Sequence, residues 1–180
     1  MQITVSRKET KNWIDKLETS AEVSMLSFAN LAADNDAMSF LYECKFHENG
    51  FDPLDSTKSL NFVEQLNQTF TYLASFKGAE FIFSKHKDVK SLTLNLGTSK
   101  GSDIETIDGG GVEAEVFASV DPTNNLKLQK DIKRISSKRS KHKYVFFISP
   151  KTDCGVYKSR WDVEGVTVIS FGDGSSKGKI

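Results

Sequence analysis

Four acidic residues, Asp103, Glu105, Glu113 and Glu115, flank a glycine triplet in the stretch SDIETIDGGGVEAEVFASV. Side chains on a strand point to alternate faces. Glu113 and Glu115 therefore share one face, while Val112, Ala114, Val116 and Ala118 share the other, which is the apolar and hence buried one. If Asp108-Gly109-Gly110 closes a three-residue loop, with Gly supplying the positive φ it needs, Ile107 pairs with Gly111, Glu105 with Glu113, and Asp103 with Glu115. All four acids then fall on one face, expected to be open to solvent. A one-residue change in loop length would break that parity. Like charges directly opposite on a sheet destabilise it, and a bound cation relieves the repulsion. Mg²⁺ takes oxygen ligands and is often held by one or two carboxylates together with phosphate and water. The alternative without any ligand is a set of acids pointing into water.

The elements that position these acids follow from periodicity. Leu66, Phe70, Leu73 and Phe76 mark one face of a helix over residues 59–83, which Gly78 weakens or ends. Leu92, Leu94 and Leu96 alternate as a strand, and SDIET and GVEAEVFA supply two more. Asp121-Pro122 reads as a helix start, because Pro suits the first turn. Leu128, Ile132 and Ile135 share one side of the helix that follows. KYVFFIS is a continuous apolar run, the mark of a buried central strand, and GVTVISF predicts a further strand. Upstream, residues 2–5 read as a short strand, and residues 8–17 and 21–40 as helical with a break near ADND. SFLYECKF reads as a strand and HENGFDPLDS as a loop. The order from residue 59 is helix, three strands, helix, strand and a further strand, an α/β chain with a mixed sheet. The 180 residues fit one domain, with 1–58 an N-terminal extension, 59–150 the core, and 151–180 a strand and loose tail.

Charge is balanced overall but not along the chain. Residues 120–180 carry thirteen Lys and Arg against six Asp and Glu, leaving the first 119 with eleven against eighteen. A basic C-terminal third suits a polyanionic partner, or else is a solvated mixed surface. No apolar run approaches a membrane span, and the start MQITVSRKETKNW has no signal-peptide core. Cys44 and Cys154 are isolated, with neither metal spacing nor a disulfide framework, so the expectation is a cytoplasmic setting. His47, His86 and His142 show no metal-ligand spacing, and GDGSSKGKI lacks the spacing of a phosphate loop. Glu43-Cys44-Lys45, with Asp36 upstream, is a rival acid–lysine constellation. It is followed by a Gly/Pro loop and not by a helix, and no hairpin strand carrying an Asp precedes it.

The D…E-x-E hairpin, set within that order of elements, resembles the PD-(D/E)XK nuclease superfamily over about residues 59–150. The resemblance implies a restriction-endonuclease-like mixed sheet with an α-β-β-β-α-β core flanked by helices. It matches Asp103 to the motif's Asp and Glu113 to its Asp/Glu, and implies that the two hold Mg²⁺. Glu64, on the helix before the hairpin, would add a carboxylate. Glu115 stands where the motif has Lys, and Ser102 where it has Pro. Three consequences stay open. Glu115 orients the attacking water or binds a second ion; the lysine has moved to the next helix as Lys127 or Lys130; or the copy is inactive. The implied activity is Mg²⁺-dependent hydrolysis of DNA phosphodiester bonds by a restriction-type endonuclease, acting as a homodimer to cut both strands. A non-catalytic nucleic-acid-binding domain on the same fold is the alternative. Asn124, Asn125, Lys127, Lys130, Lys133, Arg134 and Lys138 are then candidate contacts to the nucleic-acid backbone, with a solvated helix face as the bland alternative.

Overall fold

Strand β1 (Gln2–Ser6) leads into two helices, α1 (Glu9–Asp34) and α2 (Ala37–Phe46), and a small hairpin of β2 (Gly50–Asp52) and β3 (Asp55–Leu60). Then come α3 (Phe62–Lys85), β4 (Ser91–Asn95), β5 (Ile104–Thr106), β6 (Val112–Ala118), a 3₁₀ turn (Asn124–Leu126), α4 (Lys127–Ser136), β7 (His142–Ile148), β8 (Gly155–Val156) and β9 (Val166–Ser170). The computed structural model describes residues 1–97, 100–107 and 111–174, so the Asp108-Gly109-Gly110 turn and the chain end from 175 lie outside the described residues.

Seven strands form one mixed sheet in the order β1-β4-β5-β6-β7-β9-β8. Strands β1, β4, β5 and β6 are antiparallel neighbours, β7 is parallel to β6 and β9, and β8 closes the edge antiparallel. The N-terminal extension thus supplies an edge strand of the main sheet, and the C-terminal segment two strands at the other edge. The hairpin register is the one the loop length predicts, with Ile104 opposite Ala114 and Glu105 opposite Glu113.

Helices α1 and α3 cover one face of the sheet. Phe76, Ala79, Ile82 and Phe83 pack on Leu94, Ile104, Ala114 and Phe146 in the larger core. Gly78 does not end α3, which continues to Lys85. A Cβ there would lie 2.8 Å from Phe146 Cδ2 and 3.0 Å from Ile104 Cδ1, so the missing side chain lets helix and sheet approach. The buried stripe of α3 is not the predicted one: Phe76 is buried, but Leu66 and Phe70 are half exposed. Helix α4 covers the other face, where Leu128, Ile132 and Ile135 meet Phe117, Val145, Phe147 and Val168.

Three local expectations are corrected. SFLYECKF is helical, because Asp36 caps α2 by accepting from the N–H groups of Met38 and Ser39. HENGFDPLDS contains β2 and the start of β3. Helix α4 starts at Lys127, not at Pro122. Asp121 closes a turn on the Thr123 N–H, and Asn125 and Leu126 take left-handed φ of 52° and 56° before the helix begins.

Candidate functional site

Along β6 the odd-numbered side chains face α4, so Glu113 and Glu115 lie beneath that helix and the acidic face is not open to solvent as expected. Glu115 is 0% exposed, because a sheet covered on both faces buries both parities of its central strands. Strand β6 and helix α4 run in opposite directions. Lys127, Asp131, Arg134 and Lys138 recur about one turn apart along one side of the helix and the chain just beyond it. The contacts descend in step. Lys127 Nζ sits 5.7 Å from the Phe117 ring, Arg134 Nη1 is 3.1 Å from Glu115 Oε2, and Lys138 Nζ is 3.6 Å from Glu113 Oε1. Ser140 Oγ also donates to Glu113 Oε2 at 3.0 Å.

Asp103 precedes β5 and stands across the hairpin from Glu115. Its Oδ2 accepts the Val116 N–H at 2.7 Å, which fixes the carboxylate against β6. The loop before it is held by Arg134, whose Nη2 donates to the Gly101 carbonyl at 2.5 Å. Asp131, on α4, is 3% exposed and accepts Lys127 Nζ on Oδ1 at 2.8 Å. Among the described residues, three buried carboxylate oxygens have no hydrogen-bond donor: both of Glu115 and Oδ2 of Asp131. The Arg134–Glu115 contact is thus an ion pair without hydrogen-bond geometry. The buried hydroxyl of Ser102 is likewise without a hydrogen-bond partner.

Burial drives the electrostatics of this cluster. It raises the Glu115 carboxyl to about 7, helped by the nearby charges of Asp103 and Asp131 and opposed by Arg134 and Lys127. Burial also raises Asp103, against the Val116 N–H and the charges of Lys127 and Arg134, and it raises Asp131 against the Lys127 hydrogen bond. Lys127 therefore acts on all three acids at once.

The predicted residues are only partly brought together. Asp103, Glu115, Lys127 and Arg134 form one cluster, while Glu113 lies one pleat away with Lys138. Glu64 is on the first turn of α3, exposed and on the layer that covers the opposite face of the sheet. Lys130, Lys133, Asn124 and Asn125 are exposed. Asp131 is absent from the sequence-based candidates, although the spacing of Leu128, Asp131, Ile132 and Ile135 places it in the buried stripe of α4. Glu43 of the rival motif sits on a helix, accepts from Asn49 and contacts His47. Among the described residues no three His, Cys, Asp or Glu side chains converge as a metal-ligand set. A groove of about 580 Å³ lies on the α3 side between Phe70, Leu73, Val120, Ile148 and Phe171. It is mainly apolar, and none of Asp103, Glu113, Glu115 and Asp131 lines it. No helix among the described residues is long and apolar enough to cross a membrane.

Compared with protein-family models, with curated proteins and with solved structures, the chain has no match in any of the three.

Proposed function

We propose that the protein is a Mg²⁺-dependent endonuclease of the PD-(D/E)XK type acting on DNA. The observation that carries this reading is Glu115. It is fully buried with two carboxylate oxygens lacking any donor, and it faces Asp103 across the hairpin. Burying an ionised carboxylate without full compensation costs several kcal/mol, on the order of the penalty for any poorly paired buried charge. A cation is the compensation that its oxygen chemistry fits, since Mg²⁺ takes hard oxygen donors. The order α3-β4-β5-β6-α4-β7, with Asp103 just before β5 and the E-A-E triplet on β6, supports the same reading.

Asp103 and Glu115 would hold the ion, in place of the Asp103 and Glu113 pair implied by the resemblance, because Lys138 and Ser140 already engage Glu113. When bound, Mg²⁺ supplies Lewis-acid stabilisation of a phosphate oxygen and a more acidic water. The chain's own groups do the rest. The Val116 N–H orients Asp103, and Lys127 takes the place of the motif lysine, since its charge reaches Asp103, Glu115 and Asp131. The exposed Lys130 and Lys133 give backbone affinity to DNA without sequence information. Cutting both strands of a symmetric site calls for a homodimer.

The ion pairs favour a second reading, a nucleic-acid-binding domain whose catalytic acids have been retired into structure. Lys127, Arg134 and Lys138 pair in turn with Asp131, Glu115 and Glu113. Plasmid DNA separates the two. The nuclease reading expects cleavage with Mg²⁺, none with EDTA, and none in Asp103→Asn with the fold retained. Binding without cleavage, unchanged by Mg²⁺, would support the second reading.

A further inference from the structure

The stripe of Leu66, Phe70 and Leu73 on α3 continues to Lys77, at spacings of four, three and four residues that keep all four on one face of the helix. That face lines the groove of about 580 Å³, a volume within the usual range for a small-molecule site. The facing wall comes from the carboxyl ends of β6, β7 and β9 and the chain just beyond them, at Val120, Ile148 and Phe171. These three strands are parallel, so their carboxyl ends meet at one edge of the sheet, where open α/β sheets take their ligands. Leu66 and Phe70 stay half exposed there. An apolar body in the groove would remove that surface from water.

Two polar groups without partners interrupt these walls. Lys77 is half-buried, and its ammonium makes no hydrogen bond or ion pair among the described residues. Ser119 lines the same groove, and its buried Oγ has no hydrogen-bond partner, so turning it toward a ligand breaks no bond. Ser149, by contrast, already donates to the Val120 carbonyl. Asp173 is exposed and also lines the groove. One ammonium with an acid nearby attracts a single negative charge and resists a second.

We propose that this groove binds a small amphipathic monocarboxylate. Its alkyl or aromatic body lies between Phe70, Leu73, Ile148 and Phe171, and its carboxylate meets the Lys77 ammonium and the Ser119 hydroxyl. The site shares no residue with the acids under α4, so the inference goes beyond the nuclease reading and does not depend on it.

Isothermal titration of the full chain with submicellar sodium octanoate and with 1-octanol, without DNA or metal, tests this. Octanoate should bind saturably at millimolar concentrations. Lys77→Met keeps the stem and removes the charge. It should weaken octanoate about tenfold or more, the worth of a charge-assisted hydrogen bond, and leave octanol unchanged. Phe70→Ala should weaken both ligands alike, and Lys11→Gln, on the exposed side of α1, should weaken neither. Octyl phosphate at pH 8, a dianion, should bind more weakly than octanoate; tighter binding overturns the assignment of a carboxylate. Wild-type octanoate affinity in Lys77→Met, or a wild-type chain that binds no octanoate, overturns the inference and leaves the nuclease reading standing. Should Lys77→Met fail to fold, Lys77→Gln is titrated with the same expectations.

Discussion

On the α3 face of the sheet, Phe76, Ile82 and Phe83 meet Ile104 and Phe146 in a continuous apolar cluster. On the α4 face the apolar cluster of Phe117, Leu128, Ile132 and Phe147 gives way, toward the start of β6, to Glu115 and Glu113 paired with Arg134 and Lys138. The two faces belong to the same strands, so the difference lies in which parity of β6 carries acids and which helix lies over them. The first face depends on shape and volume, which pH and salt barely touch. The second depends on the protonation of buried acids and on the cations that face them. A sheet of this kind can therefore keep its fold through one face and carry chemistry on the other.

The largest effect should come from the apolar face. Phe146 is fully buried between Gly78, Phe81 and Phe171. Replacing it by Ala should cost about 3–5 kcal/mol, the usual range for Phe→Ala in a core. Gly78→Ala attacks the same packing from the helix side, where the added Cβ meets Phe146 at 2.8 Å. It should cost about 1–3 kcal/mol through overpacking. Urea denaturation should show each effect with the same size at pH 5.5 and pH 8. An effect that grew with pH would mean that the two faces are not separate.

The charged face should give the opposite pattern. The folded chain raises the Glu115 carboxyl from 4.5 to about 7, and each pKa unit corresponds to about 1.4 kcal/mol, so the effect is of the order of 3 kcal/mol. A raised acid holds its proton better when folded. Below about 4.5 both states are neutral and the folded state bears no cost; above about 7 both are ionised and it bears the full cost. Stability should therefore fall as pH rises through that window, with Asp103 and Asp131 acting in the same direction. Asp121, lowered to about 2 by its bonds to Thr123 and Lys151, works the other way, and its contribution disappears only at lower pH. Glu115→Gln should be more stable than wild type by about 3 kcal/mol at pH 8 and equal to it near the ordinary carboxylate pKa. Identical pH slopes for the two proteins would mean that Glu115 is not the group that titrates.

Much of this arrangement is legible in the residues themselves. Alternation in Leu92, Leu94 and Leu96 and in Val112 to Ala118, the apolar run at the centre of β7, and the glycine triplet together set the hairpin register and the parity of Glu113 and Glu115. They do not say that the second face of β6 is covered, because one strand's alternation reports two faces and not what lies over each. The 3.6 spacing of Leu128, Ile132 and Ile135 holds that information, with Asp131 lying inside the stripe. The strand expected over Phe40 to Phe46 is a helix for a different reason. A short run with Glu43 and Lys45 two apart fits a strand and a helix alike, and the deciding signal, Asp36 as an N-cap with Ser39 three residues on, lies outside that run. Leu66 and Phe70 mislead because a helical apolar stripe need not face the sheet; here they border the groove on the far layer.

Where charges are exposed, the contrast between the faces sharpens further. Ser140 and Lys138 hold Glu113 at the edge of the charged face, with Lys138 about one-third exposed. Ser140→Ala should cost about 1 kcal/mol, the usual net worth of a partly buried hydrogen bond. Lys138→Gln should cost less, at most about 1 kcal/mol, and the cost should shrink in 1 M salt because the pair is partly screened. Equal costs at low and high salt would make Lys138 a packing residue, not an electrostatic one.

The smallest effects on stability belong to the outward side of α4, and they carry the test of nucleic-acid binding. Lys130 and Lys133 are exposed and have no acidic partner among the described residues, whereas Lys127, Arg134 and Lys138 are committed to Asp131, Glu115 and Glu113. A phosphate contact on B-DNA contributes about 0.9 to the slope of log affinity against log salt. Changing Lys130 or Lys133 to Gln should leave the denaturation midpoint unchanged. If the residue touches a phosphate, its replacement should lower that slope by about 0.9, nearly uniformly across DNA sequences. Lys138→Gln should move the slope less, since its charge already faces an acid of its own chain. Lys127→Gln should leave the slope close to wild type and, on the nuclease reading, slow cleavage at saturating DNA, because its ammonium faces the acids of its own chain. If Lys138→Gln and Lys130→Gln change the slope equally, the pairs under α4 open when DNA binds, and the division between a committed inner row and a free outer row fails. Slopes equal to wild type in all four variants would make α4 a charged cover over a hydrophobic sheet, and the basic third of the chain would need another partner.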